Sequence, residues 1–275
     1  MNVLIVRLGA LGDVVHAVPA AAALRAAYPD ARIDWLVDAR HRPFVDLVTV
    51  VDRAVVVGRS SIAGWTEAVR QLRQVRYDVA LDFQGLLKSA VLARASGAAR
   101  VIGFSIWHLR EKTARPFYSE APSERSESME GHVIQKNLRL LRTVGVDDDR
   151  IVFPLADIES AALASVAAAI GDAPFALVNP GAAWPNKQWP PERFGEVAGF
   201  LREVRGLTSI VLWGPGEEGL ARAVVDASAG SARVAPATSI SDLLALSRRA
   251  ALMVSGDTGP LHIAAAAGTP TVAIF

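Results

Sequence analysis

The stretch NVLIVRLGALGDVVHAVPA, residues 2–20, decides how the chain is read. Its first five residues are largely apolar with no polar alternation, which predicts a strand buried on both faces, as in a parallel sheet. A helical pattern follows the glycines at positions 9 and 12, so strand passes into helix through a tight turn. Asp13 stands at that turn. A carboxylate there has two readings. It can cap the helix by accepting orphan N–H groups, or it can face a ligand, because open α/β sheets bind ligands beyond the carboxyl ends of their strands. His16, three residues on, falls on the same helical face, with Pro19 closing those first turns. It can orient the carboxylate or a substrate, or serve as an ordinary structural histidine.

Outward from this stretch the pattern repeats. IDWLV, RAVVV, DVALDF and RVIGF follow in the first half, then FALVNP, TSIVLW, ALMVS and TPTVAIF in the second, each separated by helical or loop sequence. Alternating strands and helices of this kind predict an α/β protein with parallel sheets covered on both faces. At 275 residues, 51% of them hydrophobic, the chain suggests two such doubly wound domains. GHVIQKNLRLLRTVG predicts a helix over about 130–144, and the Asp-rich, Pro-containing segment after it predicts a linker. The expected division is a first domain over 1–150, a linker over 151–171 and a second domain over 172–275. YSEAPSERSESME, residues 118–130, is expected to be an exposed loop. TPTVAIF predicts a buried strand lacking its following crossover, so the second domain is expected to be incomplete.

The absence of cysteine excludes disulfides, zinc-thiolate sites and thiol nucleophiles. With neither a signal-peptide pattern nor an apolar run near the roughly 18 residues of a membrane span, a cytoplasmic protein is expected. Net charge is +1, but the first 150 residues carry 21 basic against 17 acidic side chains, and the remainder 8 against 11. Between Lys88 and Arg115 six basic residues face Glu111 alone. The first domain is therefore expected to meet an anion. No nucleic-acid recognition motif accompanies these charges, and a nucleic-acid partner is not expected.

SGDTGPLH, residues 255–262, is a second strand-to-helix turn. Gly256 and Gly259 allow a ligand close to the backbone, and Thr258 brings a hydroxyl and an N–H to a helix start, a plausible diphosphate cradle. Asp257 would repel a phosphate, so it suits sugar hydroxyls or a cap, and His262 reaches the same end. NPGAAWPNKQWPPERF, residues 179–194, carries Lys187, one of four lysines beside twenty-five arginines. A compact ammonium there can neutralise a leaving diphosphate or simply be solvated. In WGPGEE, Glu217 can bind a ribose diol or favour its helix start. Neither glycine turn matches the dinucleotide or P-loop fingerprint, and no paired-carboxylate pattern for a metal is present.

Together these segments, with LDFQGLLKSA at 81–90, resemble the ADP-heptose:lipopolysaccharide heptosyltransferases along essentially the whole chain. The resemblance implies the GT-B fold, two Rossmann-like parallel-sheet domains facing a cleft, and inverting, metal-independent transfer from ADP-heptose to Kdo2-lipid A with no cofactor. Asp13 with His16 and Pro19, DFQGLLKSA, and REK at 110–112 look more like the enzymes adding the first heptose than those adding the second. By resemblance Asp13 is the catalytic base. Ala182, Ala183, Lys187, Glu217, Asp257, Thr258, Gly259 and His262 bind the donor, with Ala182 and Ala183 replacing a threonine pair and leaving only backbone N–H groups. His16, Arg59, Gln84, Lys88 and Arg110 meet the acceptor. The implied location is the cytoplasmic face of the bacterial inner membrane, by peripheral contact.

Overall fold

Each of the nine apolar runs forms a strand, and a tenth, over Ala232–Val234, lies where only three residues offered too little pattern to be read. The computed structural model describes residues 1–58, 62–122, 131–182 and 188–275. The chain divides into two units, Met1–Ala156 and Asp157–Phe275.

In the first unit the order is β1 (Asn2–Val6), α1 (Leu11–Val15), α2 (Val18–Ala27), β2 (Arg32–Asp38), α3 (Arg42–Val45), β3 (Arg53–Val57), α4 (Ile62–Leu72), β4 (Val79–Asp82), α5 (Leu87–Ala95), β5 (Arg100–Ile102) and α6 (Val133–Leu140). Short 3₁₀ turns cover Lys112–Phe117 and Leu141–Val144. All strands pair in parallel, in the order β3-β2-β1-β4-β5. The sheet reverses its direction of growth at β1, because β2 and β3 are laid down on one side and β4 and β5 on the other. That reversal leaves a crevice beyond the ends of β1 and β4, where helices depart to opposite faces. Val3, Leu4, Ile5 and Val6 of the central strand are fully buried. Asp34 in β2 is buried too, and it is satisfied by Arg32 at 3.0 Å, Arg53 at 3.0 Å and the Tyr77 hydroxyl at 2.6 Å. Burial and that carboxylate raise the Tyr77 phenol well above its usual range.

The second unit contains α7 (Ala161–Ile170), β6 (Phe175–Asn179), α8 (Pro191–Arg205), β7 (Thr208–Val211), α9 (Glu218–Ala227), β8 (Ala232–Val234), α10 (Ile240–Arg249), β9 (Leu252–Gly256), α11 (Gly259–Ala266) and β10 (Thr271–Ile274). Its parallel order, β10-β9-β6-β7-β8, repeats the reversal, now between β6 and β9. Phe194, Ala198 and Leu201 of α8 pack with Ala221 and Val224 of α9 against Ala176 and Val178 of β6.

Three details depart from the sequence expectations. The segment expected as a linker holds α7, whose cap Ser160 donates to Asp242 at 2.6 Å, while Arg248 pairs with Asp157 at 3.0 Å. Leu155 instead bridges Val48 in the first unit, which sets the division at 156. Of the loop expected over 118–130, Tyr118 is buried and Ser119 and Glu120 hydrogen-bond to β5, whereas 123–130 lie outside the described residues. The strand expected to be buried at 271–274 is an edge strand with Val272 half exposed, since a neighbour covers only one side of it. Among the described residues no helix is long and apolar enough to cross a membrane.

Candidate functional site

The crevice of the first unit is built by residues just beyond β1 and β4. Arg7 follows β1 directly and is buried, an unusual place for a guanidinium unless its charge is matched. Its Nη1 donates to the Phe83 carbonyl beyond β4, and its Nη2 meets Asp13 Oδ1 at 2.7 Å. The Asp13 Oδ2 accepts the Ala10 N–H at 3.3 Å. Asp13 thus supports the helix start, one oxygen steadying α1, while its other oxygen is fixed by a buried cation that the sequence reading did not anticipate. Its side chain remains 30% exposed. Burial pushes the Arg7 guanidinium below its ordinary value, and the Asp13 charge opposes that shift. The result is a carboxylate of fixed orientation whose side chain stays partly open to solvent.

Asp82 anchors the opposite wall. Fully buried at the end of β4, it accepts from the N–H groups of Gln84 at 2.8 Å and Gly85 at 3.3 Å, from Ser89 Oγ at 2.8 Å and from the Tyr118 hydroxyl at 2.7 Å. Burial raises its carboxyl above the usual range even so. These bonds fix the turn after β4, from which Gln84 Oε1 reaches back to the Leu8 N–H at 2.7 Å. Gln84, expected on the acceptor, therefore spends its oxygen joining β1 to β4. Lys88 and Arg110 are exposed. His16 caps the end of α1 and meets the His132 ring edge-on at 4.9 Å, and its carbonyl accepts from Asn137 at 3.1 Å. The charge partner of Asp13 is Arg7. Pro19 does not close that helix but sits in the first turn of α2, where its missing N–H costs nothing. Arg59 lies outside the described residues.

In the second unit the crevice lies between β6 and β9. Asn179, the last residue of β6, donates through Nδ2 to Ser255 Oγ at 3.0 Å, to Thr258 Oγ1 at 3.2 Å and to the Gly181 carbonyl at 3.3 Å. Ser255 and Thr258 share a further bond at 3.1 Å. The Thr258 hydroxyl is thereby engaged in locking β6 to β9, and what α11 offers a ligand is its N-terminal N–H groups, with Gly259 and Pro260 in its first turn. Asp257 pairs with His262 at 3.3 Å, which holds the carboxylate beside that helix start. Glu217, at the start of α9, accepts the Gly214 N–H at 3.0 Å. Gly181 lies against it: a Cβ there would stand 2.3 Å from Glu217 Oε2 and would push that carboxylate aside. Ala182 gives its carbonyl to Gln188 at 3.4 Å. Ala183 and Lys187 lie outside the described residues.

Sequence reasoning missed Arg7, Asn179, Ser255, Asp82 and Tyr118. Arg7 and Asn179 each stand at the end of a buried strand flanking the reversal, a signal visible only once the strand order is known. Among the described residues no group of three His, Cys, Asp or Glu gathers as for a metal.

The glycosyltransferase family 9 (heptosyltransferase) sequence profile matches residues 65–275. The chain is 29% identical to lipopolysaccharide heptosyltransferase 1 of Pseudomonas aeruginosa over all of its own length and 78% of the relative's. It is 25% identical to an Escherichia coli lipopolysaccharide heptosyltransferase 3, over 96% of this chain and 80% of that one. Among solved structures, an E. coli heptosyltransferase with ADP-2-deoxy-2-fluoro heptose superposes with a TM-score of 0.82 at 26% identity, covering 100% of this chain and 89% of the other.

Proposed function

The chain belongs to glycosyltransferase family 9, the heptosyltransferases of lipopolysaccharide core biosynthesis, and from that premise we propose that it transfers L-glycero-D-manno-heptose from ADP-heptose to the inner Kdo of Kdo2-lipid A with inversion. The observation that carries this is Asp13: an open-edged carboxylate, fixed by buried Arg7, at the crevice of the first sheet. Asp13 takes the proton of a Kdo hydroxyl as that oxygen attacks the heptose anomeric carbon from the face opposite ADP. The bond to the diphosphate breaks, its electron pair leaves with ADP, and one displacement inverts the centre. The transition state has oxocarbenium character, with negative charge gathering on the departing phosphate. Lys187 and the N-terminal N–H groups of α11 oppose that charge, in place of the divalent metal or cofactor other transferases use.

In the second unit Glu217 meets the ADP ribose, backbone N–H groups at Ala182 and Ala183 meet phosphate, and Thr258, Gly259, Asp257 and His262 hold the rest of the donor. The relative solved with an ADP-heptose analogue supports this choice of donor. To the acceptor we assign Arg59, Lys88, Arg110 and His16, with Gln84 holding the turn after β4 in place. The enzyme works at the cytoplasmic face of the inner membrane, where its acceptor is anchored.

The test is mass spectrometry of Kdo2-lipid A, and separately of its monoheptosylated product, after incubation with ADP-heptose. One heptose added to Kdo2-lipid A alone is the expected result. Addition only to the heptosylated acceptor would assign the chain to the second transfer instead. Calorimetric titration with ADP, GDP and UDP should show binding of ADP above the others.

A further inference from the structure

Between the end of α2 and the starts of β2 and β3 lies a cavity of about 560 Å³, lined by Arg25, Arg32 and Arg53 and by Asp30 and Asp52. It belongs to the edge of the first sheet opposite Asp13. Arg32 pairs in register with Asn2 at the start of β1, whereas Arg7 follows the end of that strand, roughly 16 Å further along. The three arginines are not alike. Arg25 is fully engaged as a wall: it donates to the Pro29 carbonyl at 2.9 Å, the Ala31 carbonyl at 2.5 Å, the Val50 carbonyl at 3.2 Å and Asp52 Oδ2 at 2.7 Å. Arg32 and Arg53 instead share one carboxylate. Buried Asp34 takes Arg32 Nε at 3.0 Å on one oxygen, and on the other Arg53 Nε at 3.1 Å, Arg53 Nη2 at 3.0 Å and the Tyr77 hydroxyl at 2.6 Å. Two cations thus stand on one anion. The Nη groups of Arg32 and the Nη1 of Arg53 have no acceptor among the described residues, and these side chains are 43% and 30% exposed. A guanidinium held by its Nε aims its remaining N–H groups with little freedom left to lose on binding. The acids complete the pattern. Asp52 gives Oδ2 to Arg25 and to the Ile33 N–H at 2.7 Å, which leaves Oδ1, and exposed Asp30 has no partner among the described residues.

We propose that this cavity is a second binding site, for a sugar phosphate, with the phosphate on the Nη groups of Arg32 and Arg53 and the hydroxyls on Asp30 and Asp52. Fixed guanidinium edges suit phosphate oxygens. Ionised carboxylates are acceptors only, so they repel a bare anion but take hydroxyl donors. A ligand carrying both groups satisfies a lining that is cationic on one side and anionic on the other. The volume lies within the roughly 300–1,000 Å³ of small-ligand sites. None of these residues is assigned to the heptose donor or its acceptor, so the site stands or falls apart from the reaction proposed above.

The experiment is calorimetric titration of the full chain in phosphate-free buffer, with and without ADP, using glucose-6-phosphate, inorganic phosphate and glucose as probes. Glucose-6-phosphate is expected to bind equally in both conditions and to raise the melting midpoint with its concentration. Inorganic phosphate should bind about tenfold more weakly, and glucose should give no heat. Arg32→Met keeps the apolar stem and leaves Asp34 with Arg53 and Tyr77. It should melt and bind ADP like the wild type while weakening glucose-6-phosphate about tenfold. Arg32→Lys, which keeps the charge but not the fork, should weaken it about threefold. Asp30→Ala should lower the affinity for glucose-6-phosphate toward that for inorganic phosphate, without weakening inorganic phosphate itself. Three results would each overturn the proposal: no binding of glucose-6-phosphate by the wild type, wild-type affinity in Arg32→Met, or binding that disappears once ADP is present, which would give the ligand to the donor side. Equal affinity for inorganic phosphate and glucose-6-phosphate would overturn its assignment to a sugar.

Discussion

Replacing Asp13 by asparagine removes a charge and keeps the shape, yet the surroundings make that change expensive. Both carboxylate oxygens face donors, Arg7 Nη2 at 2.7 Å and the Ala10 N–H at 3.3 Å. Asparagine has one oxygen, so its NH2 must point at one of them. Turned to keep Arg7, it opposes the Ala10 N–H. Turned the other way, it strands a guanidinium that is 3% exposed and whose Nε has no partner among the described residues. Breaking a fully buried pair costs about 3–5 kcal/mol. Because Asp13 is 30% exposed, water offsets part of that loss, and we expect about 1–2 kcal/mol. For a unit of this size the thermal midpoint then falls by about 2–8 °C. Turnover falls about 10²–10⁴-fold with the loss of the general base. Adding Arg7→Met removes the stranded cation and fills its space, so the double variant should recover most of the midpoint and none of the turnover. Circular dichroism melting and single-turnover release of ADP measure the two separately. A wild-type midpoint in Asp13→Asn, or turnover that returns in the double variant, would refute the arrangement.

Gly181→Ala would push the Glu217 carboxylate off the Gly214 N–H. Since that carboxylate is the far end of a flexible side chain, we expect about 0.5–1.5 kcal/mol of lost stability and weaker ADP binding by calorimetry; unchanged ADP affinity would separate Glu217 from the ribose. Tyr118→Phe deprives buried Asp82 of a donor and should cost about 1–3 kcal/mol in urea unfolding. Asp82→Asn should cost less than that, because the Ser89 and Tyr118 hydroxyls can turn to accept from the new NH2. The reverse order would show that the network does not depend on hydroxyl rotation. Asn179→Ala removes all three donations that tie β6 to β9 and α11, and it should lower the melting midpoint while shrinking the extra stabilisation ADP provides. Full retention of that ADP effect would show that the tie does not shape the donor side.

The sequence by itself determined nine of the ten strands, the parallel class and the turns on which the site candidates stand. Buried parallel strands must be apolar throughout, so NVLIV, DVALDF and FALVNP announce themselves without neighbours. Glycine beside a strand end likewise marks a turn wherever the chain goes next, which is why Asp13, Thr258 and Glu217 were legible as candidates. Their partners were not. Arg7 and Phe83 are joined only because β4 lies beside β1, and Asn179 reaches Ser255 and Thr258 only because β9 lies beside β6. Local pattern carries no record of which strand is laid against which. Helical spacing pointed from Asp13 to His16, but the charge partner that the fold supplies to this carboxylate is the buried guanidinium of Arg7. The identity of each candidate was written along the chain, whereas its charge partner and orientation were set within each unit by the order of strands in that unit's own sheet, which brings distant residues together at the strand ends.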